Sequence, residues 1–187
     1  MKTIYVLLSR TGTAYSRLIH RATGDVFTHT ALALDAHLDE MYSFCRRYAR
    51  LPWPAGFERE HLRSGVYGSH PDAPCAVYAV HLADADFERL RAGLRGRMAE
   101  KWAHGYNLLG ALACGAGRMH VSAHGRMFCS EFVANALNDS GAAALKRPAA
   151  QYHPDELAAL PELKCVYRGN IGQLQARIFR GCEEKIR

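Results

Sequence analysis

The stretch FCSEFVANAL, from Phe128 to Leu137, carries the clearest structural and chemical signal in this chain. Its apolar residues recur at helical spacing from Phe132 onward, and Gly141 is a natural helix terminator. The pattern therefore predicts a helix that begins at or next to Cys129. Backbone N–H groups and the helix dipole at such an end favour a thiolate and can also stabilise an oxyanion. Cys129 is a candidate nucleophile, although a free cysteine is more often a small buried hydrophobe.

A histidine at the start of a predicted strand is the candidate base. Residues Thr28–Asp35 have the pattern of a half-buried strand with His29 at its start, and Leu38–Cys45 has that of an antiparallel partner. In such a hairpin we expect Glu40 and His29 to be neighbours. A carboxylate beside a histidine orients the ring and fixes its tautomer. Ser43 is the alternative orienting residue.

The rest of the pattern predicts a mixed α and β chain. Strands are expected at Thr3–Leu8, Cys75–Leu82 and Leu163–Arg168 because these segments are apolar and bounded by turn residues. A helix is expected from Asp84 to about Ala103. The proline-containing stretch Leu51–Phe57 is predicted to be a surface loop because proline interrupts a strand ladder.

Composition and length define the broad class of the protein. The chain has 187 residues, of which 49% are hydrophobic and 22% charged, so we expect one globular domain over residues 1–187. Apolar runs such as Ile4–Leu8 are far shorter than the roughly 20 residues that span a bilayer. The amino-terminal segment lacks a signal-peptide core, which predicts a cytoplasmic location. Six cysteines without CxxC spacing predict reduced thiols.

The net charge of +6 permits contact with nucleic acid but does not indicate it. The basic residues of the predicted Asp84–Ala103 helix are more typical of a solvated face than of a nucleic-acid site. The segment Ser9–Thr13 follows the first strand as a phosphate loop does, but it lacks the Gly-Lys-Ser/Thr element. We expect it instead at the rim of the active site. The basic residues of the helix are Arg89, Arg91, Arg95, Arg97 and Lys101.

The motif Phe128–Val133 resembles the nucleophile motif of the NlpC/P60 superfamily. The order of His29 first and Cys129 last resembles its circularly permuted papain-like branch, which includes YiiX-like proteins and relatives of lecithin:retinol acyltransferase. The hairpin from Thr28 to Phe44 is similar to the histidine strand of that branch and the strand after it. Tyr106 resembles the tyrosine that often precedes the nucleophile segment.

The resemblance implies an α+β, permuted papain-like fold in which an antiparallel sheet packs against the helix that starts at Cys129. It also implies a Cys–His–polar triad that hydrolyses or transfers an acyl group at an amide, ester or thioester bond. In that triad Cys129 is the nucleophile, His29 the base and Glu40 the orienting group. The expected substrate is a small molecule, lipid or peptide, with no cofactor. The residues expected to contact substrate are Tyr106, Ser43 and Trp53.

Two other interpretations compete with a thiol enzyme. Cys114, His120, His124 and Cys129 together offer zinc ligands, but their spacing is poor and the glycines around them favour a loop, so no metal is expected. A binding protein on the same scaffold would hold a lipid or peptide without turning it over. The reactivity of Cys129 separates that alternative from an enzyme.

Overall fold

One curved sheet organises the computed structural model, which describes residues 1–48, 54–107, 111 and 126–183. Over these ranges the sheet has eight strands in the order β7-β6-β4-β3-β2-β1-β5-β8. Neighbouring strands are antiparallel except β6 and β7, which are parallel. The strands are β1 (Lys2–Ser9), β2 (His29–Ala33), β3 (Met41–Arg46), β4 (Ala55–Glu60), β5 (Pro74–Leu82), β6 (Gly105–Tyr106), β7 (Arg126–Met127) and β8 (Lys164–Asn170).

Helices cover both faces of the sheet. Successive strand residues point to opposite faces, so each central strand contributes apolar side chains to two separate clusters. The expected α+β class with a mostly antiparallel sheet is confirmed. The helices are α1 (Ala14–Thr23), α2 (Gly65–Gly68), α3 (Asp84–Ala99), α4 (Cys129–Asp139), α5 (Pro154–Ala158) and α6 (Ile171–Glu183).

The larger cluster holds α4 against the sheet through three aromatic rings. Phe132 of α4 lies 5.7 Å from Phe44 and 5.3 Å from Phe57, measured between ring centroids. Phe44 and Phe57 are 5.4 Å apart on the adjacent strands β3 and β4. Edge-to-face and tilted ring pairs at these separations add to the stabilisation from burial alone. This packing fixes the start of α4 over the middle strands of the sheet.

The predicted loop at Leu51–Phe57 is wrong from Ala55 onward. Residues 51–53 lie outside the described ranges, but Ala55 begins β4, and Phe57 is fully buried opposite Phe44. Pro54 stands just outside the strand, so it does not interrupt the ladder of hydrogen bonds. Burial of the Phe57 side chain then outweighs the weak local preference of the segment for a loop. The consequence is an extra central strand that ends in Glu60.

The two strands of the predicted hairpin separate near His29. Their paired register comprises Leu32 with Tyr42 and Ala33 with Met41. Beyond it the Ser43 hydroxyl donates to the Thr30 carbonyl at 2.7 Å. Thr28 lies just outside β2, and its hydroxyl lies 2.7 Å from that of Ser16 on α1. The gap between the strands opens towards the start of α4.

None of the helices in the described residues is both long enough and apolar enough to cross a membrane.

Candidate active site

Cys129 occupies the first position of α4, where the sequence places it. The strand β7 leads directly into the helix through Phe128, whose backbone is extended with φ of −109°. The carboxylate of Glu131 turns back to accept a hydrogen bond from the Phe128 N–H at 3.4 Å. An acidic residue in the first turn stabilises the helix end through its dipole. Cys129 itself is buried, with only 4% of its surface exposed.

The structure brings Cys129 next to His29, close enough for each to shift the other's pKa. Burial alone raises the pKa of the Cys129 thiol, but the charge and hydrogen bond of His29 and the backbone groups of Thr30 and Ser130 outweigh it. The pKa of Cys129 is therefore lowered.

Glu60 holds the other side of the His29 ring. Its Oε2 lies 2.9 Å from His29 Nε2, which leaves Nδ1 for an interaction with Cys129. Burial lowers the pKa of His29, but the negative charges of Glu60 and Cys129 outweigh it and raise that pKa well above its ordinary value. Both side chains are largely shielded, with 20% of His29 and 10% of Glu60 exposed. The His29 ring therefore lies between Cys129 and Glu60.

The expected contact between Glu40 and His29 is not formed. Glu40 accepts two hydrogen bonds from Arg95, at 2.8 and 2.9 Å, and one from the Tyr42 hydroxyl. The hydrogen bond from Arg95 lowers the pKa of Glu40. The β2–β3 register explains the separation, because the Glu40 carbonyl accepts from the N–H of Leu34. Leu34 is five residues, or about 17 Å, along the chain from His29.

Glu60 was missed because the sequence pattern gave β4 no strand signal before Phe57. Had residues 55–60 been predicted as a strand, Glu60 would have been expected beside the hairpin.

The three predicted substrate contacts have different outcomes. Ser43 is fully buried, and its hydroxyl supports the Thr30 carbonyl rather than facing a cavity. Tyr106 on β6 lines two cavities at the site. Trp53 lies outside the described residues.

The helix α5 fixes the segment that leads into β2 and so positions His29. The carboxylate of Asp155 accepts the backbone N–H groups of Val26 at 2.5 Å and Phe27 at 3.0 Å. Next to it, His153 Nδ1 lies 3.1 Å from the carboxylate of Asp25. Backbone N–H groups bonded to a carboxylate form strong, charge-assisted hydrogen bonds. The segment that leads into β2 is thus held by residues that lie far from it along the sequence.

A cavity of about 130 Å³ opens beside His29. Its walls are mostly apolar and include Phe44, Val66 and Tyr67, with polar side chains at the rim. A second, much smaller cavity is lined by Cys129 and shares Tyr106 and Thr28 with the first. The larger cavity therefore lies next to His29 and Glu60 and is large enough to hold a small apolar group. Its remaining lining residues are Thr11, Thr13, Ser16, Cys45, Arg46, Ala55 and Glu60.

The proposed zinc ligands Cys114, His120 and His124 lie outside the described residues, so that alternative stays a prediction. Within the ranges that the structure covers, no group of three or more His, Cys, Asp or Glu side chains is arranged to hold a metal ion.

Comparison with known proteins gives a likeness in fold. No family model matches the chain, and no curated protein matches its sequence. Among solved structures, the chain is similar to the metalloprotein YiiX from Escherichia coli O157:H7, with a TM-score of 0.52. The two are 14% identical, and the match covers 89% of this chain and 97% of YiiX. The chain therefore shares the overall fold of YiiX, an α+β arrangement built on one mostly antiparallel sheet.

Proposed function

We propose that this chain is a thiol hydrolase or acyltransferase that acts on an amide, ester or thioester bond. Cys129 is the nucleophile, His29 is the general base and acid, and Glu60 orients His29. The observation that carries the proposal is the contact of Cys129 with His29 and of His29 with Glu60, with opposite pKa shifts in the first two groups. An imidazolium beside a buried thiolate is the activated form of a cysteine nucleophile.

The first step is acylation of Cys129. The thiolate attacks the carbonyl carbon, and the carbonyl oxygen becomes an oxyanion. The N–H of Cys129, in the first turn of α4, has no intrahelical acceptor and is placed to stabilise that oxyanion. When the intermediate collapses, the bond to the leaving group breaks, and His29 donates its proton to that group.

The second step is deacylation. Water, or another nucleophile in the transferase case, gives its proton to His29 and attacks the thioester carbon. The C–S bond breaks, and the thiolate and imidazolium are restored. Glu60 keeps Nε2 protonated and bonded throughout, so that Nδ1 faces the reacting atoms.

The permuted papain-like order also belongs to this proposal. His29, on an early strand, precedes Cys129, at the start of a late helix, and the overall fold is that of YiiX. Substrate contact by Tyr106 is supported by its position on both cavities at the site. Trp53 remains a proposed contact from the sequence.

Alkylation of each cysteine by iodoacetamide, followed by peptide mass spectrometry as a function of pH, tests the nucleophile and base. Cys129 should label faster than Cys45 and Cys165 at neutral pH, and His29→Ala should move its reactivity to higher pH. Formation of an acetyl-enzyme from p-nitrophenyl acetate, absent in Cys129→Ala, tests acyl transfer itself. A Cys129 that labels no faster than Cys45 would favour the non-catalytic binding protein.

A further inference from the structure

Arg46, the last residue of β3, places a cation at the cavity beside His29. It lines that cavity and also the adjacent one, which contains Glu58 and Glu60. In the part of the chain that the structure describes, the Arg46 guanidinium has no hydrogen bond or ion pair. A charged side chain at a largely apolar cavity without a partner is available to a ligand.

The neighbouring residue Arg47, unlike Arg46, has partners for its guanidinium within the fold. Its Nη1 lies 2.6 Å from Glu58, and its Nη2 donates to the carbonyl of Lys101 at 2.7 Å. Its guanidinium also stacks over Trp102, 4.1 Å from the ring centroid. The contacts of Arg47 are satisfied within the fold, so its role is structural. Arg46 differs from it in having no such partner among the described residues.

Both carboxylates near Arg46 are engaged with other cations. Glu60 is bonded to His29, and Glu58 binds Arg47 and the Lys101 ammonium, the latter at 3.0 Å. The guanidinium of Arg46 is thus the charge at this cavity that an incoming group can pair with. A guanidinium matches a carboxylate through two parallel hydrogen bonds, whereas phosphate sites in proteins usually collect several donors.

We propose that Arg46 is a specificity-determining residue that binds a carboxylate on the substrate. The inference rests on the proposed function and narrows it. The preferred substrate carries a small apolar group in the cavity of about 130 Å³ and a carboxylate close to the bond that Cys129 attacks. Thr11 and Thr13 line the same cavity.

The test compares alkylation of Cys129 by iodoacetate and by iodoacetamide, which differ only in a carboxylate or an amide. In both reactions the S–C bond forms and iodide leaves. The rate ratio of iodoacetate to iodoacetamide should fall about three- to five-fold in Arg46→Gln, the effect of one partly exposed ion pair. Arg46→Lys should retain part of the ratio, because the charge remains but the two parallel hydrogen bonds of the guanidinium do not.

Arg59→Gln is the matched control, because it removes the same charge from the adjacent cavity only. Arg59 lines that cavity and donates to the Asp39 carbonyl at 2.9 Å. Thermal unfolding of each variant confirms that it is folded. An equal fall in Arg46→Gln and Arg59→Gln, or no fall in Arg46→Gln, overturns the inference while the proposed function stands. If iodoacetamide leaves Cys129 of the wild type unlabelled, the proposed function fails and the inference fails with it.

Discussion

Replacing Glu60 or Glu40 by glutamine, one at a time, tests which of the two glutamates orients His29. Glu60→Gln removes the charge that lies 2.9 Å from His29 Nε2 but keeps an amide oxygen that accepts the same hydrogen bond. Glu40→Gln is the matched control, since it makes the same chemical change beside Arg95. The sequence pattern favours Glu40 and the tertiary structure favours Glu60, so the two variants give opposite predictions.

The size of the effect follows from the geometry. Two unit charges about 4 Å apart at an effective dielectric constant of 20 interact by about 4 kcal/mol. Only 20% of the His29 and 10% of the Glu60 side chain are exposed, so solvent weakens this only in part. The retained hydrogen bond keeps some of the interaction. A net loss of about 1.4 to 2.8 kcal/mol would lower the equilibrium constant for the thiolate–imidazolium pair, relative to the neutral thiol and imidazole, about 10- to 100-fold.

The assay is the rate of Cys129 alkylation by iodoacetamide at neutral pH. Glu60→Gln should slow it, by at most the about 10- to 100-fold change in that equilibrium constant. Glu40→Gln should leave it unchanged and cost little stability, because its partner Arg95 is exposed and solvent screens the pair. The reasoning would be refuted by slow labelling in Glu40→Gln together with wild-type labelling in Glu60→Gln.

Three further predictions concern the nucleophile, its pH dependence and the packing of the sheet. Cys129→Ala should abolish turnover of p-nitrophenyl acetate and keep a cooperative melt; remaining turnover at the wild-type rate contradicts the proposed role. The pKa of Cys129 is lowered, whereas burial and the charge of Glu60 raise that of Cys45 well above its usual range. Labelling of Cys129 should therefore persist as the pH falls towards neutrality, while Cys45 labels only in strongly alkaline solution; coincident pH profiles of the two thiols contradict this. Gly56→Ala should lower the melting temperature because its Cβ would overlap the carbonyl oxygen of His104, and the matched change Gly93→Ala, in open space on α3, should stabilise the chain by up to about 1 kcal/mol. Equal melting temperatures for the two glycine variants would show that the backbone around Gly56 and His104 can move apart to make room for the Cβ.

Elements with a strong local pattern were predictable. The strands β1 and β5 and the helices α3 and α4 lie close to where the apolar pattern places them, because the strands are mostly buried apolar runs and the helices bury apolar residues at helical spacing. The strand β4 was not predictable in the same way. Its first residues follow a proline, and what makes them a strand is the packing of Phe57 against Phe44 and Phe132.

The residues of the candidate site also differ in whether the sequence alone predicts them. Cys129 at a helix start and His29 at a strand start are visible in the sequence, since each role depends on a residue type at the end of a local element. The choice between Glu40 and Glu60 is not local, because it depends on the relative register of β2, β3 and β4. A carboxylate looks the same in the sequence whether it pairs with Arg95 or with His29.

The sequence by itself determined the mixed α+β class, the helix that presents Cys129 and the strand that begins at His29, because periodicity and capping act over a few residues. Only the tertiary structure decided that the β2–β3 strands separate, that Glu60 rather than Glu40 lies beside His29, and that Arg46 has no side-chain partner among the described residues at the cavity. These features arise from contacts between strands distant along the chain. Their energies come from burial and from charges brought together by folding, which no local pattern encodes.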